Sequence, residues 1–154
     1  MRIATFICLM VMIIGCRQNL STNENVNDDL VDKSKLAIES FFVSIGSGDY
    51  KVAIHDFLSK NENIDLEDSV TLELENRFNT INETSGKFVS DRLLRKKEIG
   101  NDLGVYVYLV KYEKKFYRFI FTFYNNGSQV KIYKFSFDDI MDIELEEGLK
   151  FYTE

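Results

Sequence analysis

Apolar residues in the first half of the chain recur at three- and four-residue intervals, the spacing of one face of a helix. In residues 29–45 these positions are Leu30, Ala37, Ile38, Phe41, Phe42 and Ile45. Gly46 and Gly48 end the stripe, because glycine accepts the left-handed geometry of a helix end. A second stripe follows the capping residue Asp49 and comprises Tyr50, Ala53, Ile54, Phe57 and Leu58. A third opens at Asp65, ends at Gly86 and comprises Leu66, Val70, Leu74, Phe78 and Ile81. The pattern predicts three helices.

The period changes after Gly86. Thirteen of the 21 aromatic residues fall between Phe88 and Phe137, a density typical of strands. We predict four strands, at about residues 87–98, 104–113, 116–124 and 129–137. The Asn126-Gly127 pair favours a tight hairpin turn between the last two. Three helices followed by an antiparallel meander predict an α+β fold, with the helices packed on one face of a four-stranded antiparallel sheet.

The hairpin at Asn126-Gly127 determines which strand residues share a face. A two-residue turn pairs Phe123 with Val130 and Phe121 with Ile132, and it sends five residues to the opposite face: Phe116, Ile120, Tyr133, Phe135 and Phe137. That face would expose more apolar surface than monomers usually leave bare. Either a second copy of the chain or another protein covers it, or the apolar C-terminal residues 140–152 fold across it. A three-residue loop would instead gather Tyr117, Phe119, Tyr133 and Phe135 on the helix-covered face.

The N-terminus is typical of an export signal. Met1-Arg2 precedes an apolar run over residues 3–14 that is too short to span about 30 Å of hydrocarbon. Its end, Ile13-Ile14-Gly15-Cys16, resembles the lipobox of bacterial lipoproteins. The resemblance implies cleavage before Cys16 and a diacylglyceryl lipid on that cysteine. An ordinary signal peptide or a membrane anchor with an incidental cysteine is the alternative.

This assignment divides the chain into a signal peptide (residues 1–15), a polar, flexible tether (residues 16–28) and one domain (residues 29–154). Cys8 is lost with the signal and Cys16 carries the lipid, so no thiol remains for disulfides, catalysis or metal binding. We expect attachment to the membrane through Cys16, outside the cytoplasmic membrane. In a cell with two membranes we expect the outer one, because Arg17 stands where many lipoproteins retained in the inner membrane carry Asp.

The net charge argues against a nucleic-acid partner. The chain carries −6, which becomes −7 once Arg2 is removed with the signal, whereas nucleic-acid binders normally carry a positive excess. The charge is unevenly distributed, since residues 16–86 hold 6 basic and 14 acidic side chains and residues 87–134 hold 11 and 4.

The Gly48-Asp49-Tyr50 sequence opens a short second helix after a longer first one, and a third helix and aromatic-rich strands follow. Over residues 29–137 this arrangement resembles the nuclear transport factor 2-like (cystatin-like) superfamily. The resemblance implies a curved sheet that forms a cone with the helices. Members include ketosteroid isomerase-like enzymes and modules that only bind, so the fold alone leaves function open.

Isomerases of that superfamily place a buried acid and a tyrosine or second acid inside the cone. No Asp or Glu lies in residues 103–112, although Tyr106, Tyr108 and Tyr112 could line a pocket. Aromatic residues at alternate strand positions more often form core. The only histidine, His55, lies off its helix's apolar stripe. We therefore predict no catalytic residue, no metal site and no cofactor.

A basic cluster on the first predicted strand comprises Arg92, Arg95, Lys96 and Lys97, and Arg118 lies nearby in sequence. Basic residues commonly protect edge strands from unwanted pairing; the alternative is contact with anionic lipid head groups or an acidic protein. Our hypothesis is a non-catalytic, membrane-anchored cell-envelope lipoprotein whose domain binds a partner protein or a small apolar ligand. The alternative is a small isomerase- or dehydratase-like enzyme that uses the cone.

Overall fold

Three helices precede a four-stranded antiparallel sheet, which confirms the predicted α+β class. The computed structural model describes residues 24–62, 64–66, 69–142 and 146. The elements are α1 (Glu24–Gly46), α2 (Tyr50–Leu58), α3 (Ser69–Ser85), β1 (Phe88–Ile99), β2 (Leu103–Tyr112), β3 (Phe116–Asn125) and β4 (Val130–Asp138). The strands pair in the order β1-β2-β3-β4, each antiparallel to its neighbour. The predicted signal peptide, Cys16 and tether residues 16–23 lie outside the described residues.

Two of the helices, α1 and α3, begin at residues other than those that the apolar pattern predicts. α1 begins at Glu24, so residues 24–28, assigned above to the tether, are helical. That stretch contains neither glycine nor proline, so nothing in it interrupts a helix. α3 begins at Ser69 rather than Asp65, and the Thr71 hydroxyl donates to the Asp65 carbonyl oxygen at 3.2 Å.

The predicted helix breaks are confirmed. Asp49 caps α2, and its Oδ1 accepts a hydrogen bond from the Val52 N–H at 3.1 Å. Gly86 follows α3 with φ +80°, where an L side chain is strained.

The turn between β3 and β4 is longer than the sequence predicted. Asn125 pairs with Val130, and the Asn126 N–H donates to the Gln129 carbonyl oxygen at 3.2 Å, so residues 126–129 form the turn. The Asn126 side chain also accepts from the backbone N–H groups of Ser128 and Gln129. The predicted pairing of Phe123 with Val130 is therefore wrong, and Phe123 pairs with Ile132.

Part of the predicted face assignment of β4 is wrong, because the strand contains a β-bulge at Tyr133. Thr122 pairs with Lys134 and Phe123 with Ile132, so Tyr133 is an extra residue with no partner of its own. An extra residue reverses the alternation of side chains beyond it. Phe121 consequently pairs with Phe135 and Phe119 with Phe137. The placement of Phe135 and Phe137 on the opposite face was wrong, and so was the three-residue alternative for Tyr133, which is 70% exposed.

Aromatic rings from all three helices contact the sheet face that carries Phe119 and Phe121, here called the inner face. The ring centroid of Phe41 in α1 lies 5.5 Å from that of Phe121, and Phe57 in α2 lies 5.4 Å from Phe121. Phe78 in α3 lies 5.7 Å from Phe119 and 4.9 Å from Phe137. Aromatic pairs add about 0.5–1.5 kcal/mol each beyond the area they bury. The space between the helices and the sheet is thus occupied by packed rings.

Candidate functional site

A groove of about 410 Å³ opens between α1, the segment after α2 and the β3–β4 hairpin. Its lining residues come from positions far apart in the sequence. They are Lys33, Leu36, Ala37, Lys60, Phe123, Gln129, Val130 and Ile132.

The floor of the groove is apolar. Ala37, Phe123 and Ile132 are buried members of the hydrophobic core. Leu36 lies at the rim and is 64% exposed. The groove thus offers a ligand apolar contacts on its floor and at its rim.

Hydrogen bonds to β4 hold the segment after α2 in place. The Asn61 side-chain amide donates to the Ile132 carbonyl oxygen at 2.6 Å. Glu62 Oε1 accepts from Lys131 Nζ at 2.6 Å and from Gln129 Nε2 at 3.3 Å. The hydrogen bond from Lys131 lowers the pKa of Glu62. These contacts fix Lys60, the neighbour of Asn61, at the edge of the groove.

The two lysines at the groove differ in their partners. Lys33 Nζ forms an ion pair with Asp29 at 2.8 Å. Lys60 forms no hydrogen bond or ion pair with any residue that the structure describes. Partial burial lowers the pKa of Lys60, while the negative charge of Asp56 opposes this effect. Lys60 keeps part of its surface exposed, so its ammonium is accessible to an anion in the groove, and an opposite charge close by favours the charged form.

The three candidate tyrosines of β2 pack into the aromatic interior. Tyr106 is buried, with its hydroxyl 3.4 Å from Glu98 Oε1. The ring of Tyr108 lies 5.2 Å from that of Phe42, and the ring of Tyr112 lies 5.6 Å from that of Tyr117. Burial raises the pKa of all three hydroxyls.

The Tyr112 hydroxyl is buried and has no hydrogen-bond partner among the described residues. Its neighbour Tyr117, in contrast, shares a 2.7 Å hydrogen bond with the Ser85 hydroxyl. Tyr112 therefore contributes its ring to the core, and its hydroxyl makes no contact that orients a ligand.

The candidate arginines lie apart from the groove. Arg118 Nη2 forms an ion pair with Asp138 Oδ2 at 2.9 Å and is largely buried. Arg92 and Arg95 are exposed on β1, where they pair with Leu109 and Val107 of β2. The sheet register places these positions on the face opposite Phe119 and Phe121, here called the outer face.

His55 is exposed, with Nδ1 4.0 Å from Asp56 Oδ1. Within the described ranges, no group of three or more His, Cys, Asp or Glu residues has an arrangement that could hold a metal ion. None of the described helices is both long and apolar enough to cross a membrane.

The chain matches no protein-family model, no curated protein and no solved structure.

Proposed function

We propose that this protein is a membrane-anchored cell-envelope lipoprotein whose domain is a non-catalytic binding module for a small apolar ligand with an anionic group. The groove beside Lys60 is the observation that carries the proposal. Its volume of about 410 Å³ lies in the range of about 300–1,000 Å³ that small-molecule sites occupy.

The chemistry of the groove indicates the class of ligand. An apolar chain on Phe123, Val130 and Ile132 removes its own surface from water, which contributes about 25 cal/mol for each Å² buried. An anionic group beside Lys60 compensates that ammonium for the hydration that partial burial removes. A medium-chain carboxylate combines the two features.

The packed interior supports binding rather than catalysis. We assign the domain to the nuclear transport factor 2-like layout, in which related enzymes work inside the cone. Here Phe41, Phe57 and Phe121 contact one another at that place. The alternative is an isomerase- or dehydratase-like enzyme, for which the carboxyl of Asp91 is the candidate acid. Partial burial raises its pKa, and the charge of Glu39 acts in the same direction.

Calorimetric titration of decanoate into the full chain carrying Cys16→Ser tests the ligand proposal. We expect Lys60→Gln to weaken decanoate binding roughly 10-fold, the effect of losing a hydrogen-bonded charge contact of about 1.5 kcal/mol. Lys51→Gln is the matched control, because Lys51 is an exposed lysine of α2 that does not line the groove.

Decyltrimethylammonium, which has the same chain length and the opposite charge, should bind more weakly than decanoate and should gain from Lys60→Gln. Equal effects of the Lys60 and Lys51 variants on decanoate would contradict the assignment of the groove. Any heat from ligand binding to the apolar N-terminal segment is the same in all variants, so it does not affect the comparison between them.

The anchor is tested separately. Cys16→Ser should abolish metabolic labelling with a radioactive fatty acid and block normal signal cleavage, because no other cysteine remains at the predicted cleavage site. Cys8→Ser is the matched control and should be labelled and processed normally. Persistent labelling of the Cys16→Ser chain would rule out this lipoprotein assignment.

A further inference from the structure

One corner of the outer face combines exposed apolar rings with basic side chains. The register aligns Lys97, Val105, Thr122 and Lys134 across the four strands, and the next row aligns Ile99, Leu103 and Tyr124. Ile99 is 56% exposed and Tyr124 is 45% exposed. The bulge residue Tyr133, which directly precedes Lys134, is 70% exposed. We call Lys97, Ile99, Tyr124, Tyr133 and Lys134 the corner patch.

The bulge accounts for the exposure of Tyr133. Without a partner on β3, Tyr133 is free of the pairing that fixes its neighbours Ile132 and Lys134. Bulges commonly redirect a side chain at a sheet edge. Here the redirected residue is an aromatic ring with a polar tip, placed beside a lysine.

The chemistry of the corner patch matches the interface of a membrane. Tyrosine places its ring among acyl chains and its hydroxyl among head groups. Lysine extends its apolar stem and keeps its charge at the head-group level. Since the strands are about 4.8 Å apart, Lys97 and Lys134 lie roughly 14 Å from one another, on either side of the apolar centre.

The direction of α1 places the corner patch on the side of the anchor. Lys33 and Leu36 of α1 lie beside Gln129 and Val130 at the hairpin, whereas Gly46 lies close to Phe88 at the other end of the sheet. The backbone N–H of Asn125 donates to the Asp102 carbonyl oxygen at 2.8 Å, so the β1–β2 and β3–β4 turns meet at this same end. The chain that precedes α1 therefore enters the domain at the end that carries the corner patch.

We infer that the corner patch is a membrane-contact surface that binds anionic lipid head groups. The inference rests on the proposed lipid anchor, because an anchored domain meets the bilayer continuously. A second copy of this chain fits less well, since a two-fold contact through this corner would bring Lys97 and Lys134 against the same cations of the partner. Neither lysine has an ion-pair partner within the described ranges.

Co-sedimentation with vesicles tests the inference on the full chain carrying Cys16→Ser. Vesicles of phosphatidylcholine alone are compared with an equimolar mixture of phosphatidylcholine and phosphatidylglycerol. We expect tighter binding to the mixture, and Lys97→Gln with Lys134→Gln should weaken that binding roughly 30-fold. Tyr133→Ser should weaken binding to both kinds of vesicle.

Lys114→Gln with Lys115→Gln is the matched control, because it removes the same charge from the exposed turn at the opposite end of the sheet. Equal losses in the two double variants would reduce the effect to net charge and overturn the inference. Vesicle binding that does not depend on phosphatidylglycerol would also overturn the inference. So would sedimentation showing a dimer of the protein that Tyr133→Ser dissociates. Labelling of Cys16 and decanoate binding are measured at other residues, so failure of the corner patch is distinguishable from failure of the proposed function.

Discussion

Phe119→Ala should lower the free energy of unfolding by about 3–5 kcal/mol, the usual cost of truncating a fully buried phenylalanine. Phe119 is completely buried, and its ring contacts those of Phe41, Phe78 and Phe137. The cavity would open between two helices and two strands, where the surrounding rings would have to leave their packed positions to close it. Urea unfolding of the Cys16→Ser chain, followed by circular dichroism, measures the change.

Phe116→Ala is the matched control. Phe116 belongs to the same strand but lies on the outer face and is 49% exposed. Truncation there removes a ring that is already half in water and should cost no more than about 1 kcal/mol. Similar losses at the two positions would show that the two faces of β3 are assigned incorrectly.

The elements themselves were predictable from local patterns. Stripes at helical spacing located α1, α2 and α3, and Asp49 and Gly86 were correctly placed at helix ends. Aromatic density and turn residues located all four strands to within about two residues, the usual uncertainty of a boundary. These features depend on neighbours within a few residues, which is why the sequence alone contains them.

The face assignment of β4 was not predictable in the same way. Simple alternation after Ile132 sends Phe135 and Phe137 outward, and only the unpaired Tyr133 restores them to the core. A bulge forms because the three helices offer a place for those rings, which is a tertiary cause. The early start of α1 was not predictable either, because residues 24–28 contain a single apolar residue, Val26, and so show no apolar periodicity that would reveal a helix.

The groove was also beyond sequence reasoning. Lys33, Lys60 and Gln129 belong to three separate segments, and the contact that unites them is the hydrogen bond from Asn61 to Ile132, 71 residues away. The only local signal was Leu36, an apolar residue off the buried stripe of its helix. Alternation along β2 predicts that its tyrosines share one face of the sheet. The structure does place them together: Tyr106 and Tyr112 are buried in the core, and Tyr108 is partly buried and packs against it.

Because Tyr133 is an extra residue in β4, we expect its deletion to leave the pairing of the rest of the strand unchanged. Removing Tyr133 joins Ile132 directly to Lys134, which gives β4 the same number of residues as its partner across this stretch. Ile132, Phe135 and Phe137 then keep their partners Phe123, Phe121 and Phe119 on the inner face. The lost ring is mostly exposed, so the deletion should cost at most about 2 kcal/mol in the free energy of unfolding.

Removing Ser136 from the same strand should cost more, about 3–5 kcal/mol. The deletion moves Phe137 by one position and so turns its ring to the outer face. That ring would lose its contact with Phe78, now at 4.9 Å, and the guanidinium of Arg77, now 4.5 Å from its centroid. Urea unfolding of the two deletion variants in the Cys16→Ser chain compares them directly. If deletion of Tyr133 destabilised the protein as much as deletion of Ser136, the bulge would be a required part of the sheet's twist, and the alternation argument would fail.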